Sequence, residues 1–600
     1  MTVPASGFRI GLAATPWSIF NRPSLQLGVL KSYVEERLDA RVDTFHLSLP
    51  VAAAIGVDRY ARIARSGWAG EALFAPLLFP EMRVPAEKLF YTSLAGEKRS
   101  LASFSELVER VEESCTTWLS SLPTEDYHLF GFSVCFFQLL PSLYLAKLLK
   151  KTRPELPIVF GGSSCTGAVG ASLIDHFPEI DYLLDGEGEE ALCRLCRFIA
   201  GDATSLPTNV RSQRPVARAQ NPAAGLEPDD LPCPDYSPYF QEMRKFFPEL
   251  PFIPMLPVEF SRGCWWNTCT FCNLNLQWRD YRCKTGEKMA AEILHLARTH
   301  ESLHFTFADN ALPLREADLF FSKIAAAGLD LQFFAEIRAI AEPERLQLYR
   351  RGGLKTIQVG IEALSTSLLQ KMAKGTTVIG IMATMKTCNE IGIRLEGNII
   401  TEFPTTTETE IAETLAHLDY LFPFPPLQAA RFFLGYGSPI HARAKEFSIR
   451  AVLPHAKNRR LFPRNLLRSM TLLTCGYRGD RRTQQRLWRP VHEKIKAWQE
   501  YHRQRDKDQP YPLSYEDGRT FLIIRQERPA GAPLLHRLRG LSRDVYLFCR
   551  RPQKRVDISR EFPAVSARNL ENFFAEMSTK RLMFIEGDLA LSLAVRADRR

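Results

Sequence analysis

Between residues 261 and 275 the chain reads SRGCWWNTCTFCNLN, which sets Cys264, Cys269 and Cys272 in a C-x4-C-x2-C spacing directly after the strand-like run PVEF. A structural zinc site takes four ligands, usually as two paired knuckles, and no second C-x-x-C pair lies nearby. Three thiolates on one loop suit an iron–sulfur cluster better, because thiolate is its standard ligand. A cluster held by three leaves one iron free. That iron can accept the donor atoms of a small molecule, as the open position of a catalytic metal does.

The loop has to be carried by something rigid, and the apolar runs around it supply that. In the first two hundred residues FRIGLAA, DTFHLSL, YHLFGFSVCF, LPIVFGG and IDYLLDGEG read as strands. The helical patterns PSLQLGVLKSYVEERL, PSLYLAKLLKKT, GASLIDHF and EEALCRLCRFIA fall between or after them. Strand followed by helix, repeated, predicts an α/β doubly wound, Rossmann-like domain over 1–205. Residues 206–250 are rich in Pro, Ala and polar residues without periodicity and are expected to be a linker. LPVEFSRG, LHFTFADN, LQFFAEIRA, TIQVGIEAL, RLEGNIITEFP and LQAARFFLG then predict six strands in consecutive βα units, a partial (β/α)6 TIM-type barrel over 251–440. Beyond it, RRTQQRLWRPVHEKIKAWQEYHRQ reads as a basic helix and RTFLIIRQER, DVYLFCRR and LMFIEGDLALSLAV as short strands, giving an α+β domain over 441–600.

Composition narrows the class. The 600 residues exceed what one hydrophobic core supports. The opening MTVPASGFRIGLAATPW lacks the pattern of a secretion signal, and the 13 cysteines then point to a reducing, cytoplasmic setting with free thiols. Leu129–Ala146 is uncharged, but Gln138, Pro141 and two serines favour a buried strand, a turn and a helix over a membrane span. From His441 onward 35 lysines and arginines face 17 acidic residues, an excess of 18 that leaves the first 440 residues at −8. A basic C-terminal part can face an acidic partner or be a solvated surface.

The motifs together resemble the radical S-adenosylmethionine (SAM) enzymes. A loop ending in Cys-x-Phe-Cys after the first strand of a partial barrel carries that resemblance, although the usual family spacing is C-x3-C-x2-C. The flanks SRGCWW and CTFCNLN, with YRCKT, FADNAL, FFAEIRA, IQVGIEALSTSLLQKMAKGT and GNIITEFP in order, are similar to the cobalamin-dependent branch that modifies ribosomally made peptides. The resemblance implies a [4Fe-4S] cluster on Cys264, Cys269 and Cys272. It implies SAM contacts from Asp309 and Asn310 after the second strand, Glu336 and Arg338 on the third, Gly360 and Glu362 on the fourth, and Ile399 on the fifth beneath adenine. Glu402 stands where relatives carry glycine, and Trp265, Trp266 and Phe271 would shield the cluster.

GFSVCFFQLLPSLYLA, IVFGGSSCTG and IDYLLDGEGEEAL likewise resemble that branch's cobalamin-binding domain. Ser133, Gln138, Ser142, Gly161, Gly162, Ser163, Gly186, Glu187 and Gly188 are the candidate cobalamin contacts. Glycines at strand ends let backbone approach a large cofactor. No Asp-x-His-x-x-Gly occurs, so cobalt would have no histidine beneath it, and His176 is read as a helix-surface residue. Cys115, Cys135 and Cys165 are read as buried thiols rather than a second cluster, and Cys193 and Cys196 as core. ATPWSIFNRPSLQLGVLK and WAGEALFAP resemble segments that line the space between the two cofactors.

What the resemblance implies is a C-methyltransferase in which a 5′-deoxyadenosyl radical takes a hydrogen atom from an unactivated carbon and methylcobalamin supplies the methyl group. It also implies a precursor peptide as substrate, an electron donor such as flavodoxin or ferredoxin, and a monomer off the membrane. A free amino acid or small natural-product scaffold would suit the same core chemistry. A tRNA-modifying enzyme would use the basic part for phosphates; that part lacks a recognisable RNA-binding fold, although Arg478–Arg489 keeps the alternative open.

Overall fold

The structure is a computed structural model that describes residues 7–94, 102–217, 221, 225–249, 252–278, 280–339, 342–506, 509, 511–528 and 531–597. Its first sheet holds β1 (Phe8–Ala14), β2 (Ala40–His46), β3 (Leu129–Ser133), β4 (Ile158–Gly161), β5 (Tyr182–Leu184) and β6 (Val210–Ser212), in the order β2-β1-β3-β4-β5-β6. All neighbours are parallel except β5 and β6. The direction of winding reverses between β1 and β3, so a crevice opens at their C-terminal ends, the usual ligand position of such sheets. The alternation of apolar runs with amphipathic helices is what produces this, since β1 and β3 are covered on both faces.

Three local expectations are corrected. DTFHLSL is a strand only to His46; Ser48–Ile55 is the first of five helices, ending at Ser120, that separate β2 from β3. The stretch 206–250 is not a free linker: it adds β6 to the sheet edge, and the helix Ser237–Phe246 docks on the first domain, where Tyr239 donates to the Phe20 carbonyl at 2.8 Å. The DVYLF of DVYLFCRR lies on a helix, Leu541–Phe548, that ends before Cys549; Val545, Tyr546 and Cys549 are buried, a helical and not a strand spacing.

Within the inserted helices Glu71 is buried and accepts from the N–H groups of Leu139 and Leu140 at 2.9 and 3.0 Å, closing the N-terminus of the helix Leu139–Thr152. Burial pushes its carboxyl from 4.5 up to about 7, against those two hydrogen bonds. Between these values the folded chain keeps a proton that the unfolded chain has lost. The group's full contribution is therefore present below 4.5 and declines as pH rises through 7, by about 3 kcal/mol in all. The apparent melting temperature should drop between pH 5 and pH 8, and Glu71→Gln should flatten that part of the profile.

The second sheet is wholly parallel. It contains β7 (Leu256–Val258), β10 (His304–Phe307), β11 (Gln332–Ile337), β12 (Leu354–Glu362), β13 (Arg394–Thr401) and β14 (Gln428–Arg431), in sequential order, with helices between them. Between β7 and β10 stands a short hairpin of β8 (Ser261–Arg262) and β9 (Arg282–Cys283). This is the partial (β/α)6 barrel expected. Its outer layer carries the helix Arg481–Gln504, whose buried face includes Trp488, Val491, Ile495 and Trp498, with the Trp498 indole N–H on the Phe424 carbonyl at 2.9 Å. The C-terminal part adds small, mainly antiparallel sheets, in one of which the Leu513–Asp517 and Val595–Arg596 strands pair parallel, which makes the whole α/β with an α+β end. Among the described residues no helix is long and apolar enough to cross a membrane; Leu129–Ala146 is β3, a turn and part of a buried helix.

Candidate functional site: a cysteine loop and an interdomain cleft

The cysteine loop hangs from the β8/β9 rung, where Ser261 faces Cys283 and Arg262 faces Arg282. It is pinned from the barrel and from the segment that follows β14. Thr270 donates from its N–H to Met372 O at 3.0 Å and from Oγ1 to Lys371 O at 3.1 Å. Ile440 N–H donates to Thr270 O at 2.8 Å, and Asn273 Nδ2 to Tyr436 O at 3.3 Å. The two tryptophans are anchors as well as cover: Trp265 Nε1 reaches Leu312 O at 3.3 Å and Trp266 Nε1 reaches Ala373 O at 2.8 Å. Phe271 packs half-buried against the core.

Gly375 has φ +67°, and a Cβ there would fall 2.0 Å from the Trp266 ring. Gly375→Ala should therefore displace Trp266 and loosen the loop. The expected result is a fall in iron retained after anaerobic reconstitution to less than about a tenth, with the far-UV spectrum unchanged.

The three thiols are half-buried. Burial raises Cys269 and pushes Cys272 up to about 11, while the Lys374 and Arg338 cations favour the Cys269 thiolate. Arg338 lies near Cys269 and favours its thiolate, has Cζ 4.1 Å from the Trp266 ring centroid, and donates to the Lys374 carbonyl. Among the described residues no three His, Cys, Asp or Glu side chains close on a single metal ion. A cubane cluster places each thiolate on its own iron. An all-thiol set with two cations beside it fits that group and not a mononuclear site.

The other residues named from sequence divide into two sets. Glu336 lines the interdomain cleft, and burial together with the neighbouring Glu362 pushes it up to about 7. Glu362, at φ +67°, pairs with Lys374 Nζ at 3.0 Å. Gly360 makes room for that pair, since a Cβ there would meet Nζ at 2.3 Å; it serves the ion pair, and its side-chain position is not open for a ligand. Asp309 is likewise turned inward. Its carboxylate accepts from Phe260 N–H at 3.0 Å and Ser261 Oγ at 2.5 Å, and burial pushes it up to about 7. It braces the start of the cysteine loop, while Asn310 beside it stays half-exposed. Ile399 is fully buried in the barrel wall. Glu402 is held by Arg431 at 3.1 Å.

Across the cleft, the C-terminal ends of β1 and β3 oppose those of β7, β10 and β11. A cavity of about 370 Å³ lies between, bounded by Ser18, Arg22, Ser133, Gln138, Thr306 and Glu336 among others. It adjoins a second cavity of about 220 Å³ that runs down the first sheet past Gly161, Gly162, Ser163, Gly186, Glu187 and Gly188. Ser133 and Cys135 border both. Gly162 has φ +107° and a Cβ there would strike the Val134 carbonyl at 2.8 Å, so the turn admits only glycine. Gln138 and Ser142 are committed inside the domain: Gln138 Nε2 donates to Thr15 O at 2.6 Å, and Ser142, fully buried, donates to Gln138 O at 2.6 Å. Ser142 borders neither cavity.

Cys115, Cys165, Cys193 and Cys196 are buried, and burial pushes the Cys115 thiol up to about 12, as expected of core thiols. His176 has Nδ1 on Ser172 O at 2.8 Å and Nε2 on Ser469 Oγ at 2.7 Å, so it ties the first domain to the C-terminal part. Sequence reading did not single out Lys374, Arg262, Glu189, Glu259 or Trp278. The only signals for them were adjacency, Arg262 to the cysteines and Lys374 to Gly375.

Residues 258–418 match the profile described as Radical SAM superfamily. The chain is 25% identical over 343 residues to the hopanoid C-3 methylase of Methylococcus capsulatus, covering 55% of this chain and 63% of that protein, which is less than two thirds of its length. Two solved structures share the fold. The cobalamin-dependent S-adenosylmethionine radical enzyme OxsB, with aqua-cobalamin and S-adenosylmethionine bound, has a TM-score of 0.56 at 14% identity, covering 96% of this chain and 71% of that one. The radical S-adenosylmethionine methyltransferase TsrM from Kitasatospora setae, with cobalamin and a [4Fe-4S] cluster bound, has a TM-score of 0.53 at 13% identity, covering 82% and 88%. The chain thus carries a radical SAM domain, set in the fold of the cobalamin-dependent radical SAM enzymes.

Proposed function

We propose that the protein is a cobalamin-dependent radical SAM methyltransferase that C-methylates an unactivated carbon of a ribosomally made precursor peptide. The observation that carries this reading is the facing of two sets of C-terminal strand ends across one cleft, with a glycine-lined cavity on one side and, on the other, Glu336, whose neighbours Glu362 and Lys374 also neighbour Cys269. Cys264, Cys269 and Cys272 would hold the [4Fe-4S] cluster, and Glu336, Arg338 and Glu362 would contact SAM. Ser133, Gly161, Gly162, Ser163 and the loop Gly186, Glu187 and Gly188 would receive cobalamin. When bound, these cofactors supply hydrogen-atom abstraction and methyl transfer.

The chain's own residues supply position and exclusion of water. Trp265 and Trp266 cover the cysteine loop, and Arg338 and Lys374 balance thiolate charge. The inserted helices meet the C-terminal part, where Trp68 stacks on His455 at 5.4 Å. In this reading an external electron donor of the flavodoxin or ferredoxin type reduces the cluster.

A peptide is supported by the basic C-terminal part and by its sheet edge Leu534–Arg539, where Leu535, Arg537 and Arg539 are exposed. The small size of the cleft favours a second reading, a free amino acid or compact scaffold. Anaerobic turnover of reconstituted protein with cobalamin, an electron donor and methyl-labelled SAM, offered acidic peptides and small molecules in parallel, decides between them. Label on carbon together with 5′-deoxyadenosine is expected from the peptides. Absence of both products from every arm rejects the methyltransferase reading.

A further inference from the structure

The barrel-side wall of the smaller cavity is a buried charge cluster. Arg262 is 4% exposed; it donates from Nη1 to Glu187 Oε2 at 2.9 Å, from Nη2 to Glu189 Oε1 at 2.5 Å and from Nε to Glu259 Oε2 at 3.0 Å. Its Cζ lies 5.3 Å from the Trp278 ring centroid. Arg282 pairs with the other oxygen of Glu187 and donates to Leu226 O at 2.5 Å. Arg262 and Arg282 face each other on the two-pair hairpin that carries the cysteine loop. Like charges opposed on a rung repel, and here Glu187 lies between them. Glu187 belongs to the other domain: it sits in the Gly186–Gly188 loop after β5, which is also a wall of the cavity. A buried ion pair that loses one partner leaves a charge stranded, so the hairpin's geometry depends on where that loop stands.

We infer that Glu187, Arg262 and Arg282 form a positioning relay through which filling of the N-terminal cavity sets the geometry of the cysteine loop. A corrinoid seated against Gly186–Gly188 fixes Glu187, and Glu187 fixes the rung from which Cys264, Cys269 and Cys272 hang. The relay rests on the cobalamin reading of that cavity. It is a coupling between two sites, so it acts equally in both directions.

The test is amide hydrogen exchange on the full-length, cluster-free protein with and without saturating aquacobalamin, followed over residues 263–272. These residues border neither cavity, so contact with the corrinoid would not itself protect them. Exchange there should slow at least about 5-fold in the wild type and less than about 2-fold in Glu187→Gln and Arg262→Gln. Arg262→Lys, which keeps the charge and loses the fork, should fall between. Unchanged exchange in the wild type with aquacobalamin bound, or equal protection in the variants, overturns the relay alone. Failure of the wild type to bind aquacobalamin takes down both the relay and the functional reading. Should the variants not fold, the reciprocal measurement on wild type decides: the Kd for aquacobalamin should tighten at least about 5-fold on cluster reconstitution, and an unchanged Kd refutes the relay.

Discussion

Cys269→Ala is expected to abolish cluster assembly: protein reconstituted anaerobically should stay colourless, hold little iron, and lose SAM cleavage by at least ~1,000-fold, about 4 kcal/mol of barrier. Cys269 sits between the other two cysteines of the loop in sequence, and the Lys374 and Arg338 cations favour its thiolate. Two remaining thiols cannot retain a cubane against exchange with solution thiols. The loop itself should survive, because its anchors at Trp266, Thr270 and Asn273 do not involve the thiol. Loss of iron at a preserved fold is then the signature, read from iron content, absorbance and far-UV circular dichroism. Cys388→Ala, which touches only core on the helix Val378–Ile391, should leave iron content unchanged. Zinc in place of iron, or full iron retention in the Cys269 variant, would refute the ligand assignment.

The sequence made the cysteine loop and both sheets legible for the same reason. Long apolar runs of β-branched and aromatic residues specify strands, and thiols at short spacing specify a ligand set. Less was legible where one residue type serves two purposes. Asp309 follows β10 where a ligand contact is expected, yet its carboxylate is used within the chain to brace Phe260 and Ser261. Ser142 has the look of a cofactor contact and is a buried link to Gln138. Those choices depend on which side of a strand end the chain turns, which no local pattern states.

The Arg262–Glu187 contact spans 75 positions and was not legible at all, because its meaning comes from the packing of two domains. Two of the five helices between β2 and β3, Ser48–Ile55 and Trp68–Leu78, escape a sequence reading because an all-round apolar helix carries no stripe; Val57–Ser66 and Phe104–Ser120 do carry one. DVYLFC misled in the opposite sense, its β-favouring composition being overridden by packing of Val545 and Tyr546 on one helical face.

Ser133→Trp is expected to separate the two halves of the site, weakening aquacobalamin at least ~100-fold, about 2.7 kcal/mol, while leaving the barrel's iron content as it is in cobalamin-free wild type. Ser133 ends β3, in register with Ala14 on one side and Gly161 on the other, and it borders both cavities. An indole there occupies the junction through which a large ring and its tail would have to be continuous. Overpacking carries its own cost, of about 1–3 kcal/mol, so the melting temperature must be measured alongside. Ser142→Ala is the matched comparison: Ser142 itself borders neither cavity, and loss of its hydrogen bonds to Gln138 and Thr15 should lower stability by about 1 kcal/mol with cobalamin affinity unchanged. In the Ser133 variant SAM cleavage should persist while methylated product disappears, because the cysteine loop's anchors lie on the barrel and the segment that follows β14 and none on β3. Retention of cobalamin by that variant would show that the paired cavities are not the corrinoid's seat. Loss of iron together with cobalamin would show that the loop cannot hold its cluster while the first domain's cavity is blocked.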